Sequence, residues 1–386
     1  MIPGLDGLRA IAFLLIFFFH AHYLSIGWIG VQFFFVLSGF LITGILLDMK
    51  KSLPPKGYFF KFYGRRFLRI FPLYYFYLIA MGIITASLIS INYRPGWMEV
   101  FSQQILYAIF YVYNFYSATV FNTQTYLLSH FWSLSVEEQF YIFWPVLLLF
   151  TPEKLQKKLF LVLIVFGPIF RIAFYFIHTY GGLHILQPDI SEALHPLPFT
   201  HIDAFAFGAY ISRYSIPKAK EKFHLLLGLI PAIGFATQYL VTGNFGAPAT
   251  FGYPFLMSNG YQYIWGYSLL NYFFAIIIQL VARHGMFNQV LEWSPIRYLG
   301  KISYGLYVYH LPIIWFVLDI EDLGIINKSA LKPIATVIAF FVTLLMASVS
   351  YHFMEKPLLN LKYQFFSRQL KKSAPAYSPS SDATPG

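Results

Sequence analysis

Long apolar stretches recur along the whole chain, and short polar segments separate them. A helix that crosses the hydrocarbon core of a bilayer needs about 20 mostly apolar residues. The pattern therefore predicts an all-α integral membrane protein, a bundle of about ten transmembrane helices. The predicted spans are residues 8–25, 28–47, 67–91, 134–151, 158–178, 199–213, 223–242, 260–283, 297–319 and 331–354.

The charge of the loops decides between ten and eleven spans. The segment 101–121 is an eleventh candidate, although Gln103 and Asn114 make it polar, and the sixth predicted span is short. Cytoplasmic loops carry an excess of Lys and Arg. If 101–121 does not cross, the basic loops after the second, fourth and sixth spans all lie inside, as does the basic tail. We therefore expect ten spans with both termini cytoplasmic. The segment 92–133 is then an outer excursion with a helix lying at the membrane interface.

Domain organisation follows from the same pattern. Residues 1–360 are expected to form one transmembrane domain, and 361–386 a cytoplasmic tail. From about residue 373 the tail is rich in Ser, Pro and Ala, a composition that predicts disorder. The chain shows no convincing internal repeat, which weakens a transporter interpretation, since many transporters are built from repeats.

Composition excludes several classes of protein. Hydrophobic residues make up 58% of the chain and charged residues 11%, whereas a soluble domain carries about 25% charged residues. The net charge of +11 lies in short basic segments between apolar runs, so it indicates cytoplasmic loops and no nucleic acid. Because the chain has no cysteine, disulfides, thiolate metal sites and cysteine nucleophiles are excluded, and no metal site is expected. Asp6 and Arg9 begin the first apolar run, which therefore reads as a retained span and not as a cleaved signal peptide.

Charged and titratable side chains inside spans are candidates for function. Arg9 and His20 are separated by 11 positions of the first span, so they share one helical face about 16 Å apart along the axis. Every residue between them is apolar. Such a face belongs against a protein interior or a wet cavity. The alternative is that Arg9 reaches the headgroups and His20 is a hydrogen-bonded packing residue.

Two further pairs of charges begin predicted spans. Arg66 and Arg69, one helical turn apart and next to Arg65, begin the third span. Paired guanidinium groups suit multiply charged phosphates, although anchoring at the cytoplasmic face alone accounts for Arg65. Glu137 and Glu138 begin the fourth span. A carboxylate there could orient the imidazole of His20; the alternative is a favourable first turn, capped by Ser133 or Ser135.

Other polar side chains are candidates for contacts with an acceptor substrate. Helical spacing places three of them on one side of the ninth span, where they either line a cavity or belong to an interfacial aromatic belt. The candidate acceptor contacts are Glu138, Asp203, Ser303, Tyr307 and His310. The run of residues 355–357 is interpreted as a structural helix stop.

Six segments, in this order, resemble the motifs of the acyltransferase family 3 membrane proteins. No one of them alone is specific, but together they cover the chain up to about residue 360. They are IPGLDGLRAIA at 2–12 running on to His20, GVQFFFVLSGFLIT at 30–43, RRFLRIFP at 65–72, WSLSVEEQFY at 132–141, ISYGLY at 302–307 with His310, and EKP at 355–357.

The resemblance implies a ten-span O-acyltransferase of the bacterial inner membrane, which moves an acyl group from acyl-CoA, most simply acetyl-CoA, to a cell-envelope glycan. The family's Arg-x10-His pair corresponds to Arg9 and His20, its Arg-x-x-Arg pair to Arg66 and Arg69, and its acid to Glu137. Some members carry a C-terminal extracytoplasmic hydrolase-like domain. This chain shows none, so any such partner enzyme is expected to be separate.

These residues give a hypothesis for the reaction. The candidates for binding the nucleotide phosphates are Arg66, Arg69 and Arg65. The pantetheine arm would pass Arg9, which is a candidate catalytic residue together with His20 and Glu137. His20, oriented by Glu137, would act as general base on a sugar hydroxyl. A covalent intermediate on Ser38 is less favoured, since that residue suits close helix packing. The rival interpretations are a transporter or flippase for a polar or anionic solute, and a scaffold without catalysis.

Overall fold

The structure, a computed structural model, describes residues 2–257, 259–319 and 328–361. Over these ranges the chain is helical and forms no β-sheet beyond an isolated bridge between Thr119 and Leu186. The predicted all-α fold class is confirmed. The α-helices are α1 Leu5–His20, α2 Ile29–Ser52, α3 Pro55–Ser90, α4 Pro95–Ile109, α5 Tyr113–Ser117, α6 Phe131–Phe150, α7 Glu153–Tyr180, α8 Ile190–Leu194, α9 Ile202–Arg213, α10 Ala219–Thr242, α11 Gln262–His284, α12 Asn288–Leu291, α13 Ser294–Lys301, α14 Ser303–Asp319 and α15 Lys328–Ser350.

Six helices in the described ranges are long and apolar enough to cross a bilayer: α2, α3, α7, α10, α11, and the helix that continues α15 to Leu361. The remaining four predicted spans overlap helices that are shorter or more polar, namely α1, α6, α9 and α14. The number ten is therefore not confirmed. Helix α6 contains a Glu-Glu-Gln run that lowers its mean hydropathy, and α9 has only 12 residues.

The C-terminal end of the bundle differs from the expectation. A π-helical turn, Tyr351–Glu355, follows α15, and the chain remains helical to Leu361. The predicted helix stop at 355–357 is therefore wrong: Pro357 falls in the first turn after the π-helical turn, where a missing backbone N–H is tolerated. The predicted tail lies, from residue 362 onward, outside the described residues.

Glycines set the closest helix crossings. A Cβ on Gly39 of α2 would lie 2.1 Å from the Phe205 carbonyl oxygen of α9, and one on Gly208 would lie 2.0 Å from the Val36 carbonyl oxygen. Small residues let membrane helices approach to backbone contact. The close packing expected of Ser38 therefore belongs to its neighbour Gly39. In the same way, a Cβ on Gly300 would lie 1.6 Å from the Asp6 carbonyl oxygen, so α1 packs directly on α13.

The basic loops meet at one end of the bundle. Lys50, near the end of α2, donates to the carbonyl oxygens of Leu148 (2.9 Å) and Thr151 (2.7 Å) at the end of α6. Glu153, at the start of α7, accepts a 2.9 Å hydrogen bond from Arg213 at the end of α9. Three loops that the sequence predicts to be cytoplasmic therefore lie side by side.

The excursion between α3 and α6 contains α4 and α5. The Tyr74 hydroxyl of α3 donates to the Ala108 carbonyl oxygen of α4 at 2.7 Å, which fixes α4 along α3. Helix α4 has 15 residues and is not among the six candidate spans. That it lies at the membrane interface stays a prediction.

Candidate active site

Three arginines line one cavity between α1, α2, α3, α6 and α14, which we call the arginine cavity. It encloses about 100 Å³. Arg9, Arg66 and Arg69 come together here although they belong to two helices, because α1 and α3 both face α2. Arg65 does not line this cavity. The polar lining residues besides the arginines are Ser38, Ser133, Glu137, Glu138, Tyr141, Ser303, Tyr304 and Tyr307.

The arginine cavity brings both signs of charge together, because Glu137 and Glu138 line it beside the three arginines. Arg9 donates to the Asp6 carboxylate at 2.6 Å within the first turns of α1. The guanidinium group of Arg66 lies 5.1 Å from the centroid of the Tyr141 ring, a cation–π contact. The cavity thus offers two guanidinium groups, Arg66 and Arg69, that are not committed to Asp6. This arrangement suits a multiply charged anion.

Glu137 is held on the wall of the arginine cavity by two hydroxyl groups. Ser38 Oγ donates to Glu137 Oε1, and the Tyr141 hydroxyl donates to the same oxygen at 2.5 Å. The predicted pairing of Glu137 with His20 is therefore wrong, because the carboxylate faces Ser38 and His20 lines a different cavity.

The capping interpretation of the same helix is also wrong. Helix α6 begins at Phe131, so Glu137 lies in its second turn. Ser133 Oγ donates back to the His130 carbonyl oxygen and Ser135 Oγ to the Phe131 carbonyl oxygen, each at 3.0 Å, and neither caps a backbone N–H. Glu137 and Glu138 thus line the arginine cavity and do not belong to the first turn of α6.

A second and larger cavity, the histidine cavity, contains His20. It encloses about 410 Å³. Its walls come from α1, α14, the excursion between α3 and α6, and the segments around residues 190 and 255. The side chains that give its character are His20, His130, His195, Trp28, Trp132, Tyr126, Phe255, Asn122, Gln124, Gln187 and Glu192.

A chain of hydrogen bonds fixes the tautomer of His20. His310 Nδ1 lies 2.6 Å from the Tyr307 carbonyl oxygen, which can only accept, so this nitrogen carries the proton. The Nε2 of a neutral His310 is then an acceptor, and His20 Nδ1 donates to it at 2.9 Å. His20 Nε2 is left with its lone pair. His310 is fully buried, whereas His20 is half-buried in the cavity wall.

Two residues, Val31 and Tyr307, line both the arginine and the histidine cavity. The Tyr307 hydroxyl lies 2.5 Å from Ser133 Oγ and donates to the His130 carbonyl oxygen at 3.1 Å. Tyr307 is therefore a boundary between the two cavities. Ser303 lines the arginine cavity alone, and His310 contacts His20, so these predicted acceptor contacts fall in three different places.

Asp203 is a structural residue, contrary to the expectation that it contacts substrate. Its carboxylate is fully buried and pairs with Arg171 of α7 at 2.9 Å. Ser268 and Asn271 of α11 donate to it at 2.6 and 3.2 Å. These partners saturate the carboxylate and join α7, α9 and α11. Pairing the intramembrane Arg171 with Asp203 was possible from the sequence, since buried charges in membranes pair with one another.

Sequence reasoning missed His130 and His195. His130 donates to the Val308 carbonyl oxygen at 3.0 Å, and His195 contacts the Tyr267 hydroxyl at 2.8 Å. The His195 ring packs 4.4 Å from the Trp132 ring. Both histidines lie outside the predicted spans, and a titratable residue in a loop does not by itself indicate a functional site.

Comparison with known proteins identifies the family of the chain. The profile of the acyltransferase domain matches residues 2–352. O-acetyltransferase OatA of Staphylococcus aureus is 30% identical over 97% of this chain and 60% of its own length. Peptidoglycan O-acetyltransferase OatA of Listeria monocytogenes is 28% identical over 92% of this chain and 56% of its own length. This chain thus spans well under two thirds of the length of these relatives. No solved structure matches it significantly. On the strength of the profile match, the chain belongs to the acyltransferase family 3, the family of this acyltransferase domain.

Proposed function

We propose that this protein is a membrane O-acyltransferase that moves an acyl group, acetyl in the first instance, from acyl-CoA to a hydroxyl group of a cell-envelope glycan. The observation that carries the proposal is the free lone pair of His20 Nε2. The hydrogen bond to His310 fixes the tautomer of His20, and the His20 side chain lines the histidine cavity. A base with a fixed tautomer beside an arginine-lined cavity suits acyl transfer. The name of the L. monocytogenes relative, a peptidoglycan O-acetyltransferase, supports a glycan acceptor.

The arginine cavity suits the donor. Phosphate groups of CoA would bind Arg66 and Arg69, because guanidinium groups make charge-assisted, bidentate hydrogen bonds to phosphate oxygens. We propose that the nucleotide stays at the mouth of the arginine cavity and that the pantetheine arm occupies the cavity itself. The arm would lead past Tyr307 and Val31 towards His20.

The transfer itself needs one base and no covalent enzyme intermediate. His20 Nε2 takes the proton of the glycan hydroxyl while that oxygen attacks the thioester carbonyl carbon. The tetrahedral intermediate collapses, the C–S bond breaks and the ester forms. The proton on His20 Nε2 then passes to the leaving thiolate, which departs as CoA. Through this cycle His310 keeps the His20 Nδ1 proton in place.

The two cavities would open to opposite sides of the bacterial inner membrane. The basic loops that meet around Glu153 support a cytoplasmic location for that end of the bundle. The excursion over 92–133 and the segment around residue 190 line the histidine cavity and would lie outside. With ten spans and both termini inside, a cytoplasmic donor would meet an extracytoplasmic acceptor at His20.

Release of CoA tests the proposal. The purified protein in lipid nanodiscs is incubated with acetyl-CoA and soluble peptidoglycan glycan fragments, and free thiol is followed. Because the chain has no cysteine, every thiol that appears is CoA. We expect acceptor-dependent thiol release together with an acetylated glycan by mass spectrometry.

The matched variants are His20→Ala and His184→Ala. His184 is an exposed histidine that lines neither the arginine cavity nor the histidine cavity. We expect His20→Ala to abolish transfer and His184→Ala to retain it. Retained transfer by His20→Ala contradicts the assignment of the base. Flux of a polar solute without consumption of acetyl-CoA would indicate the rival transporter function.

A further inference from the structure

A third cavity meets the histidine cavity at His20. This tryptophan cavity encloses about 260 Å³ and is lined by His20, His22, Arg94, Trp97, Tyr126, Leu311, Ile314, Trp315 and Leu318. Three of these residues, His20, Tyr126 and Leu311, also line the histidine cavity. The imidazole of His20 therefore stands at the junction of two spaces. A substrate that reaches His20 has room to extend on both sides of it.

Three aromatic rings form one wall of the tryptophan cavity. The ring centroids of Trp97, Tyr126 and Trp315 lie 6.0 to 6.4 Å from one another, and the planes of each pair are within 29° of parallel. The nearly equal separations exclude a linear stack, in which the outer rings would be twice as far apart. The rings form a compact aromatic platform, and Trp97 and Tyr126 are 48% and 43% exposed.

Such a platform suits a sugar ring. One face of a pyranose presents C–H groups, which pack on aromatic rings, while its hydroxyl groups point outward to polar partners. Arg94 and His22 supply polar groups to the lining of the tryptophan cavity. On the other side of His20, the histidine cavity offers Asn122, Gln124, Gln187 and Glu192 beside Trp132. Aromatic walls with a few polar groups are the usual composition of a small-molecule site.

We infer that the acceptor is a glycan chain of at least three units that lies across His20, with one flanking unit on the aromatic platform and the other in the histidine cavity. The inference rests on the proposed function and adds to it the acceptor's extent. A hydroxyl of the central unit faces His20 Nε2. The enzyme therefore modifies internal units of a chain in preference to a short fragment.

Exposed tryptophan and tyrosine side chains are also enriched at the membrane interface, where they anchor a protein in the bilayer. An anchoring role affects every acceptor alike, whereas a role as a flanking subsite affects only acceptors long enough to reach it. Chain length of the acceptor therefore separates the two roles.

The experiment compares N-acetylmuramic acid, a single unit that fills only the central position, with a tetrasaccharide of alternating N-acetylglucosamine and N-acetylmuramic acid, using thiol release from acetyl-CoA. For the wild-type protein we expect kcat/KM to be about tenfold higher for the tetrasaccharide, the size of one good aromatic contact. The acetyl group should appear on an internal unit of the tetrasaccharide in fragmentation spectra. Trp97→Ala should lose most of this preference for length, and Trp97→Phe, which keeps an aromatic face, should retain part of it.

Trp293→Ala is the matched control, since Trp293 is 61% exposed and lines none of the three cavities. It should keep the preference of the wild type. Equal kcat/KM for the two acceptors, or equal losses for both in Trp97→Ala, would overturn the inference while leaving the proposed function standing. Absence of thiol release with every acceptor would instead refute the proposed function.

Discussion

His310 Nε2 lies 2.9 Å from His20 Nδ1, and its other ring nitrogen is bound to the Tyr307 carbonyl oxygen. Substitution of His310 should therefore act through the tautomer of His20. We expect His310→Phe to lower kcat about 100-fold, within the range for loss of an oriented general base, with the KM for acetyl-CoA little changed. His310→Gln, whose amide oxygen accepts from His20 Nδ1, should restore part of the rate. Equal rates for the two variants would reduce His310 to a packing residue.

The boundary between the arginine and histidine cavities should be easy to block. Val31 lines both cavities, so Val31→Trp is expected to stop the donor arm short of His20. We predict that CoA binding, measured by calorimetry, survives while transfer to the glycan is lost. Ile45→Trp is the control, because Ile45 lies on the same helix with 37% of its surface exposed and lines neither cavity. Full transfer by Val31→Trp would show that the donor reaches the acceptor by another route.

The fold class was predictable from the sequence, whereas the contacts of the site were not. Apolar stretches of membrane length dictate helices whatever their partners, and helical spacing alone places Arg66 and Arg69 on one face. The partner of His20, in contrast, is 290 residues away in the chain. Local spacing in the sequence does not show whether His310 or Glu137 is the partner of His20, because the packing of α14 against α1 brings His310 to His20.

The lone intramembrane charge of Arg171 was visible in the sequence as a possible partner, so the error at Asp203 has a different origin. The isolation of Asp203 in a short apolar segment made it look functional, but the partners that neutralise it come from α7 and α11. Gly167 of α7 makes room for this carboxylate, since a Cβ there would lie 2.7 Å from Asp203 Cγ. A glycine that accommodates a buried ion pair cannot be told from other glycines in an apolar span without the structure.

The Arg171–Asp203 pair should contribute strongly to stability. Asp203→Asn leaves a wholly buried guanidinium group without its counter-charge, and we expect a loss of about 3–5 kcal/mol. The double substitution Arg171→Met with Asp203→Leu should recover much of it, because both charges are then removed. Arg297→Gln is the control, since its pair with Glu292 is exposed and exposed pairs are worth about 0–1 kcal/mol. Thermal unfolding in detergent measures the three variants. A large loss in the double variant would contradict this account.

The crossing of α2 and α9 should not tolerate a methyl group. A Cβ at Gly39 meets the Phe205 carbonyl oxygen at 2.1 Å, so Gly39→Ala must push the helices apart. We expect it to destabilise the protein by about 1–3 kcal/mol. On the same helix, a Cβ at Gly44 has nothing within 4 Å. Gly44→Ala should therefore leave the unfolding temperature unchanged or raise it, because alanine favours helix. Similar effects of the two substitutions would show that helix propensity, and not the close crossing, decides stability here.

Three arginine variants can distinguish specific binding of CoA in the arginine cavity from a general attraction of CoA to positive charge. Arg66→Gln and Arg69→Gln each remove a guanidinium group from the cavity, while Arg65→Gln removes the same charge from outside its lining. A charge-assisted hydrogen bond contributes about 1.5–3 kcal/mol. We therefore expect the first two variants to weaken CoA binding by about 10- to 100-fold, and Arg65→Gln to leave it within about twofold. Pantetheine, which lacks the nucleotide phosphates, should bind all three variants like the wild type. Calorimetry with the two ligands measures these affinities. An equal loss of CoA affinity in Arg65→Gln would mean that CoA responds to the positive charge of the whole loop. Neighbouring charges on an open surface attract an anion about equally, because they lie at similar distances and are screened alike.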